Sequence, residues 1–304
     1  MLILMCCVLV VLAFPAQVLA WGGGTHLALG LEVLSRSAEL PPALVMLLMR
    51  HPNDFLYGCL AADITVGKKF THYLLNCHRW GVGERVLQVA ETDQQRACAY
   101  GYLCHLAADV VAHNYYVPFK TVQSFASVAL RHTYWELRFE ALVDPAVWKR
   151  ARGICKNGRT LDDELLRRVV TPTIFSFGTS RRIFNSLLLL SRLKRWQKLI
   201  RGLSGRSRHR LVTSERNEYF EVTMGAVMDL LTHGPDAACR LLDPTGEDAL
   251  SISQDIRRTL RARYHMGMMS REEGVERVES LRPLFRQALH QPELLRELQH
   301  RCNS

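Results

Sequence analysis

The chain has 304 residues, 48% of them apolar and 8% aromatic, with 39 Lys and Arg against 29 Asp and Glu. That suits one large domain with a substantial core and excludes a disordered or low-complexity chain. The net charge of +10 is local: residues 165–214 hold 12 Lys or Arg and no Asp or Glu, so the remainder is nearly neutral.

Residues 1–20 read as a secretory signal. The apolar run Leu2–Phe14 is short for a membrane span, and Pro15, Ala16 and Ala20 form a cleavage region. Cleavage after Ala20 predicts an exported protein, periplasmic or extracellular, with the mature domain 21–304 beginning at Trp21. No Lys or Arg precedes the apolar run, so an uncleaved N-terminal anchor is the rival reading.

Nearly every later segment has helical periodicity. The spacing predicts helices over Thr25–Ser35, from Pro41-Pro42 to about Arg50, and over Gln95–Asn114 and Phe125–Val143. Others follow from Asp162-Asp163 to Val170, over Ile183–Leu203, Glu215–Leu231, Asp248–His265 and Arg271–Leu289, and over Pro292–Arg301. Loops are expected at Gly22-Gly23-Gly24, His51–Asp54, Gly81–Gly83, Gly202–Gly205 and Asp243–Gly246, with Asp63 in a further loop. No sustained alternation of Val, Ile and Thr appears, so the expectation is all-α: a single-domain multi-helix bundle. Cys6 and Cys7 leave with the signal. The seven remaining cysteines are odd in number and include no C-x-x-C pair, which argues against thiolate zinc sites of the finger type.

Chemistry concentrates in a few ionisable residues. On a helix, His105, Asp109 and His113 stand one turn apart on one face, drifting by about 40° per step. They sit among Leu103, Leu106, Ala108, Val110 and Val111. Three such side chains on an apolar helix cost several kcal/mol unless something satisfies them. Imidazole nitrogen and carboxylate oxygen together suit zinc, and the middle carboxylate can bridge two ions. His132-x3-Glu136 repeats the step on the next helix. Asp63 stands in Ala-Ala-Asp-Ile, followed by His72 and His78, which spacing alone does not separate. A free amine at Trp21 would form a chelate with its own carbonyl, with His26 close by.

In this order, the mature Trp21, Gly-Thr-His26, the Asp63 loop, Thr-His72, His105-x3-Asp109, His113 and His132-x3-Glu136 resemble the zinc-dependent phospholipase C family, whose fold is related to the S1/P1 nucleases. The resemblance is clear over about residues 21–145. It implies three zinc ions: one on Asp63, His72, His105 and Asp109; one on His113, His132 and Glu136; and one on the Trp21 amine and carbonyl, His26 and the bridging Asp109. The spacing from Asp109 to His113 is shorter than in well-studied members, and Ile64 replaces the Tyr that binds headgroup in choline-specific ones.

The implied activity is hydrolysis of phospholipids by zinc-activated hydroxide attacking phosphorus, with Asp63 orienting or deprotonating the water. The rivals are an S1/P1-like single-strand nuclease and a non-catalytic, metal-stabilised membrane-binding protein. Residues 181–210 pair a basic face with Leu189, Leu193, Trp196, Ile200 and Leu203. That pattern fits an anionic membrane surface, a core-facing amphipathic helix, or nucleic acid.

Overall fold

The computed structural model describes residues 21–64, 77–127, 132–156, 160–170, 176–191 and 211–303, and among them every regular element is helical. Helix α1 spans Gly23–Ser35, α2 Pro42–Arg50, α3 Pro52–Ala61, α4 Trp80–Gln88 and α5 Asp93–Val111. A π-helical turn, Ala112–Tyr116, joins α5 to α6 (Val117–Gln123); α7 (His132–Glu140), α8 (Pro145–Lys156), α9 (Thr160–Val169) and α10 (Phe177–Ser191) follow. The remaining long helices are α11 (Thr213–His233), α12 (Glu247–His265), α13 (Arg271–Gln287) and α14 (Leu294–Asn303). Residues 1–20, read above as a signal, His72 and most of the basic stretch, Trp196 included, lie outside the described residues. No helix among the described residues is long and apolar enough to cross a membrane.

Three local expectations change. His51–Asp54 is not an extended loop: Pro52 opens α3 at its first position, where a missing N–H costs nothing. Gly81 and Gly83 lie inside α4, because Gly83 is the contact point against Leu103 and Leu106 of α5. The segment Phe125–Val143 is not one helix; the chain turns at Ser124–Ser127 and α7 begins at His132.

The spine of the molecule is the pair α3 and α5. Thr92 starts α5 with a reciprocal capping box to Gln95, as a Thr-x-x-Gln sequence should. Fifteen of its residues are buried, so it is enclosed on all sides rather than amphipathic. Two glycines let the pair touch through backbone. A Cβ on Gly58 would lie 2.0 Å from the Cys98 carbonyl oxygen, and one on Gly101 2.0 Å from that of Phe55. Around this spine pack α1, α4 and α11, while α12 covers α6 and the π turn.

The π turn has a local cause. Pro118 follows it and supplies no N–H to the carbonyl four residues back. Asn114 fills part of the disrupted ladder by donating its side-chain amide to Val110 O (2.9 Å). Such widened turns re-aim side chains and recur at functional sites.

Candidate metal centre

Five ionisable side chains from four separate segments converge beside the α3–α5 contact. His26 comes from the first turn of α1, and Asp63 from a 3-10 turn (Ala62–Ile64) that ends α3, not from an open loop. His78 precedes α4, and His105 and Asp109 come from α5. All five are buried, Asp109 completely.

The close approach of α3 and α5 sets His105: its Nδ1 lies 2.9 Å from the Cys59 carbonyl oxygen. A carbonyl only accepts, so Nδ1 carries the hydrogen and Nε2 faces the cluster. Tyr102, one turn before the pair, donates its hydroxyl to Cys77 O and so ties down the segment bearing His78.

The separations are narrow in range. His26 Nε2 is 3.4 Å from Asp109 Oδ1, while His105 Nε2 and His78 Nε2 are 3.3 and 3.4 Å from Asp109 Oδ2. His78 Nε2 lies 3.2 Å from Asp63 Oδ1 and 3.2 Å from His105 Nε2. The rings of His26 and His105 stack at 3.7 Å. His26, Asp63 and His105 each place a ligand atom within 4.8 Å of the others, as do His78, His105 and Asp109.

Hydrogen bonding does not account for this packing. Neither carboxylate oxygen of Asp109 and neither ring nitrogen of His26 has a hydrogen-bond partner among the described residues. Burying such groups unsatisfied costs several kcal/mol, and like donors are drawn together here rather than kept apart. Four donors at about 2.0–2.2 Å from one tetrahedral zinc ion stand about 3.3 Å from each other, the spacing seen here. The donor set therefore fits zinc.

Asp109 and His26 are shifted toward the forms that bind metal, whereas His105 must give up a proton to ligate. Burial works against the charge of Asp109, yet the imidazoles of His105 and His26 hold its carboxyl well below the usual range. His105 is itself pushed up: burial lowers it, but Asp109 and Asp63 outweigh burial. His26 is pushed down, by burial first and then by His105. Carboxylate with neutral imidazole is the protonation state that ligates metal.

His113 and Glu136 form a neighbouring pair. His113 Nε2 is 3.7 Å from Glu136 Oε1, and both residues are buried. On a regular helix His113 would share the face of His105 and Asp109; the π turn gives it a site of its own toward α7. His132 opens α7 one turn before Glu136, and its side chain lies outside the described residues. His72 lies outside them too, so of the two alternatives His78 is the one that the described structure brings to the cluster.

Trp21 is wholly buried, its indole stacked on Phe139 at 4.5 Å and edge-on to Tyr116. Helix α1 has no capping side chain and no acid in its first turn. Glu140 takes that place from α7, accepting from Gly24 N (2.7 Å), Thr25 N (3.0 Å) and Thr25 Oγ1 (2.7 Å), immediately before His26. Burial raises its carboxyl to about 7 against these bonds. Sequence reasoning stopped at Glu136; the second one-turn step in His132-x3-Glu136-x3-Glu140 was the available signal. Cys59, Cys98, Cys104 and Cys239 are free and buried, and Cys77, also buried, sets its Sγ 3.2 Å from His78 Nδ1. Burial pushes the thiols of Cys59, Cys98 and Cys104 above their ordinary range.

Residues 25–171, which span every ligand candidate except Trp21, match the family model described as zinc dependent phospholipase C. Searches of curated proteins and of solved structures returned no match.

Proposed function

Since the chain belongs, through residues 25–171, to the zinc-dependent phospholipase C family, we propose that it hydrolyses phospholipids to diacylglycerol and a phosphorylated headgroup at the cluster built on Asp109. The observation that carries this reading is the convergence of His26, Asp63, His78, His105 and Asp109, with buried donor atoms on Asp109 and His26 that make no hydrogen bond among the described residues.

Asp63, His78, His105 and Asp109 would hold one zinc ion. His113, Glu136 and His132 would hold a second. His26, Asp109 and the amine and carbonyl of a processed Trp21 would hold a third. Bound zinc would supply charge neutralisation for the anionic phosphodiester and a lowered pKa, near 7, for water. Asp109 turns Oδ1 to His26 and Oδ2 to His78 and His105, so it would be the residue shared between two of these sites. Asp63, on its short turn, would orient the attacking water and accept its proton. The Cys59 carbonyl and Glu140 do not touch the substrate; they aim His105 and anchor the chain before His26.

Export and membrane contact belong to the same reading. Residues 1–20 would deliver the chain outside the cytoplasm and free the Trp21 amine. Residues 181–210 would meet an anionic lipid surface, and Trp196→Ala should weaken binding to anionic vesicles.

The test uses processed, zinc-loaded protein with phosphatidylcholine and phosphatidylinositol micelles in parallel with single-stranded DNA. Release of diacylglycerol, abolished by Asp109→Asn, is the expected result. Cleavage of DNA alone would establish the nuclease reading. Zinc bound without turnover of either substrate would leave a metal-stabilised, non-catalytic protein.

A further inference from the structure

The turn Asp243-Pro244-Thr245-Gly246 lies beyond the region matched by the family model, yet it touches two parts of the metal centre at once. His113 Nδ1 lies 2.6 Å from the Pro244 carbonyl oxygen. The carbonyl can only accept, so Nδ1 carries the hydrogen and a neutral His113 turns a bare Nε2 toward Glu136. Gly246 packs on the backbone of the same histidine. Its φ of +61° belongs to the left-handed region, and a Cβ there would stand 2.3 Å from His113 O and 2.5 Å from His113 Cβ.

Asp243 makes the turn rigid. Its Oδ1 accepts from Thr245 N and Thr245 Oγ1, both at 2.8 Å, and its Oδ2 accepts from Arg79 at 2.8 Å. Its backbone carbonyl accepts from the Asn114 amide at 3.0 Å, and the carbonyl of Leu242 accepts from Trp80 Nε1 at 2.8 Å. Arg79 and Trp80 directly follow His78; Asn114 directly follows His113.

We propose that this turn is a positioning clamp for the metal centre: it fixes the tautomer and aim of His113 and ties that residue's segment to the one carrying His78. The proposal rests on the zinc reading of the cluster for its effect on metal, but not for its effect on the ring. Packing that merely fills space would need neither the carbonyl at the ring nitrogen nor a glycine pressed on the ligand's own backbone. Residues that orient a metal-bound histidine typically change metal affinity by about 10- to 100-fold when lost.

Two variants of the full-length processed protein test it, Gly246→Ala and the milder Asp243→Asn, with His113→Ala as reference. Nitrogen-detected NMR of the metal-free proteins reads the His113 tautomer directly. Wild type should show hydrogen on Nδ1; both variants should show a mixture. Zinc counting and chelator competition should show one ion held about tenfold or more weaker, the ion that His113→Ala also loses. The double variant Gly246→Ala, His113→Ala should then be no worse than His113→Ala alone. Folded variants that keep the wild-type tautomer and hold every ion with unchanged affinity would overturn the clamp. If Gly246→Ala does not fold, Asp243→Asn decides by the same two readings. Should the wild type bind no zinc, the functional reading fails, while the tautomer comparison still decides whether the turn sets the ring.

Discussion

Gly101→Ala is the most informative single perturbation of the scaffold, because it separates helix propensity from packing. In isolation an alanine at a mid-helix glycine stabilises by about 1 kcal/mol. At Gly101 the new carbon would meet backbone: Phe55 O at 2.0 Å, Cys59 N at 2.8 Å and Gly58 Cα at 2.9 Å. An ordinary carbon–oxygen contact is about 3.3 Å, so α3 and α5 would have to part by about 1.3 Å. Overpacking of this kind costs roughly 1–3 kcal/mol, and a clash with backbone belongs at the upper end. The same displacement would stretch the 2.9 Å contact from His105 Nδ1 to Cys59 O beyond hydrogen-bonding range, leaving a buried N–H unpaired at about 1–3 kcal/mol. The net is a loss of about 3 kcal/mol, read as a lower urea midpoint for the metal-free protein. Gly225→Ala is the control. That glycine is exposed in α11 with nothing within 4 Å of its added carbon, and the substitution should stabilise by up to about 1 kcal/mol. A Gly101→Ala protein as stable as wild type, or as Gly225→Ala, would refute the claim that backbone contact at this crossing builds the site.

Four further outcomes are expected. With its carboxyl raised from an ordinary 4.5 to about 7, Glu140 contributes stability that is complete below about pH 4.5 and is lost as pH rises through about 7; Glu140→Gln should flatten that part of the metal-free denaturation profile, and an unchanged slope would count against the burial argument. Asp109→Asn should lower zinc content by at least one equivalent in elemental analysis, since Asp109 stands between His26 and the pair His78 and His105; full metal content would remove its bridging role. Stripping zinc with a chelator should lower the melting temperature, because an ion present at 100 times its dissociation constant stabilises by about 2.7 kcal/mol; a melting curve indifferent to zinc would argue against a bound ion. A form carrying one additional residue before Trp21 should lose a single zinc equivalent, and retention of all of them would show that the α-amine is not a ligand.

Some of this was readable in the chain and some was not, for identifiable reasons. Helical period and the His105-x3-Asp109 step are local properties, so the all-α class and the shared face of His105 and Asp109 on α5 follow from the sequence alone. The glycine crossing is not local. Gly58 and Gly101 look like ordinary helix glycines until their two helices are set against each other. Pro52 and Gly83 suggested loops, but proline is at home in the first turn of a helix, and Gly83 is where α4 packs on Leu103 and Leu106. Spacing does not separate His78 from His72; the structure sets His78 beside Asp63 and Asp109, while His72 lies outside the described residues. The partner of His113 was out of reach of any pattern, since Pro244 stands 131 positions away and offers only a backbone carbonyl.

The widened turn at Ala112–Tyr116 divides one long rod into two angular phases. The part before it faces His26 of α1 and His78 just ahead of α4, and the part after it faces α7 and the C-terminal helices. A one-residue deletion there would rotate the downstream part by about 100° and swing His113 away from Glu136, leaving Asp109 where it is. What keeps the two phases in step is the distant turn Asp243–Gly246, which reaches His113 on one side and the residues after His78 on the other.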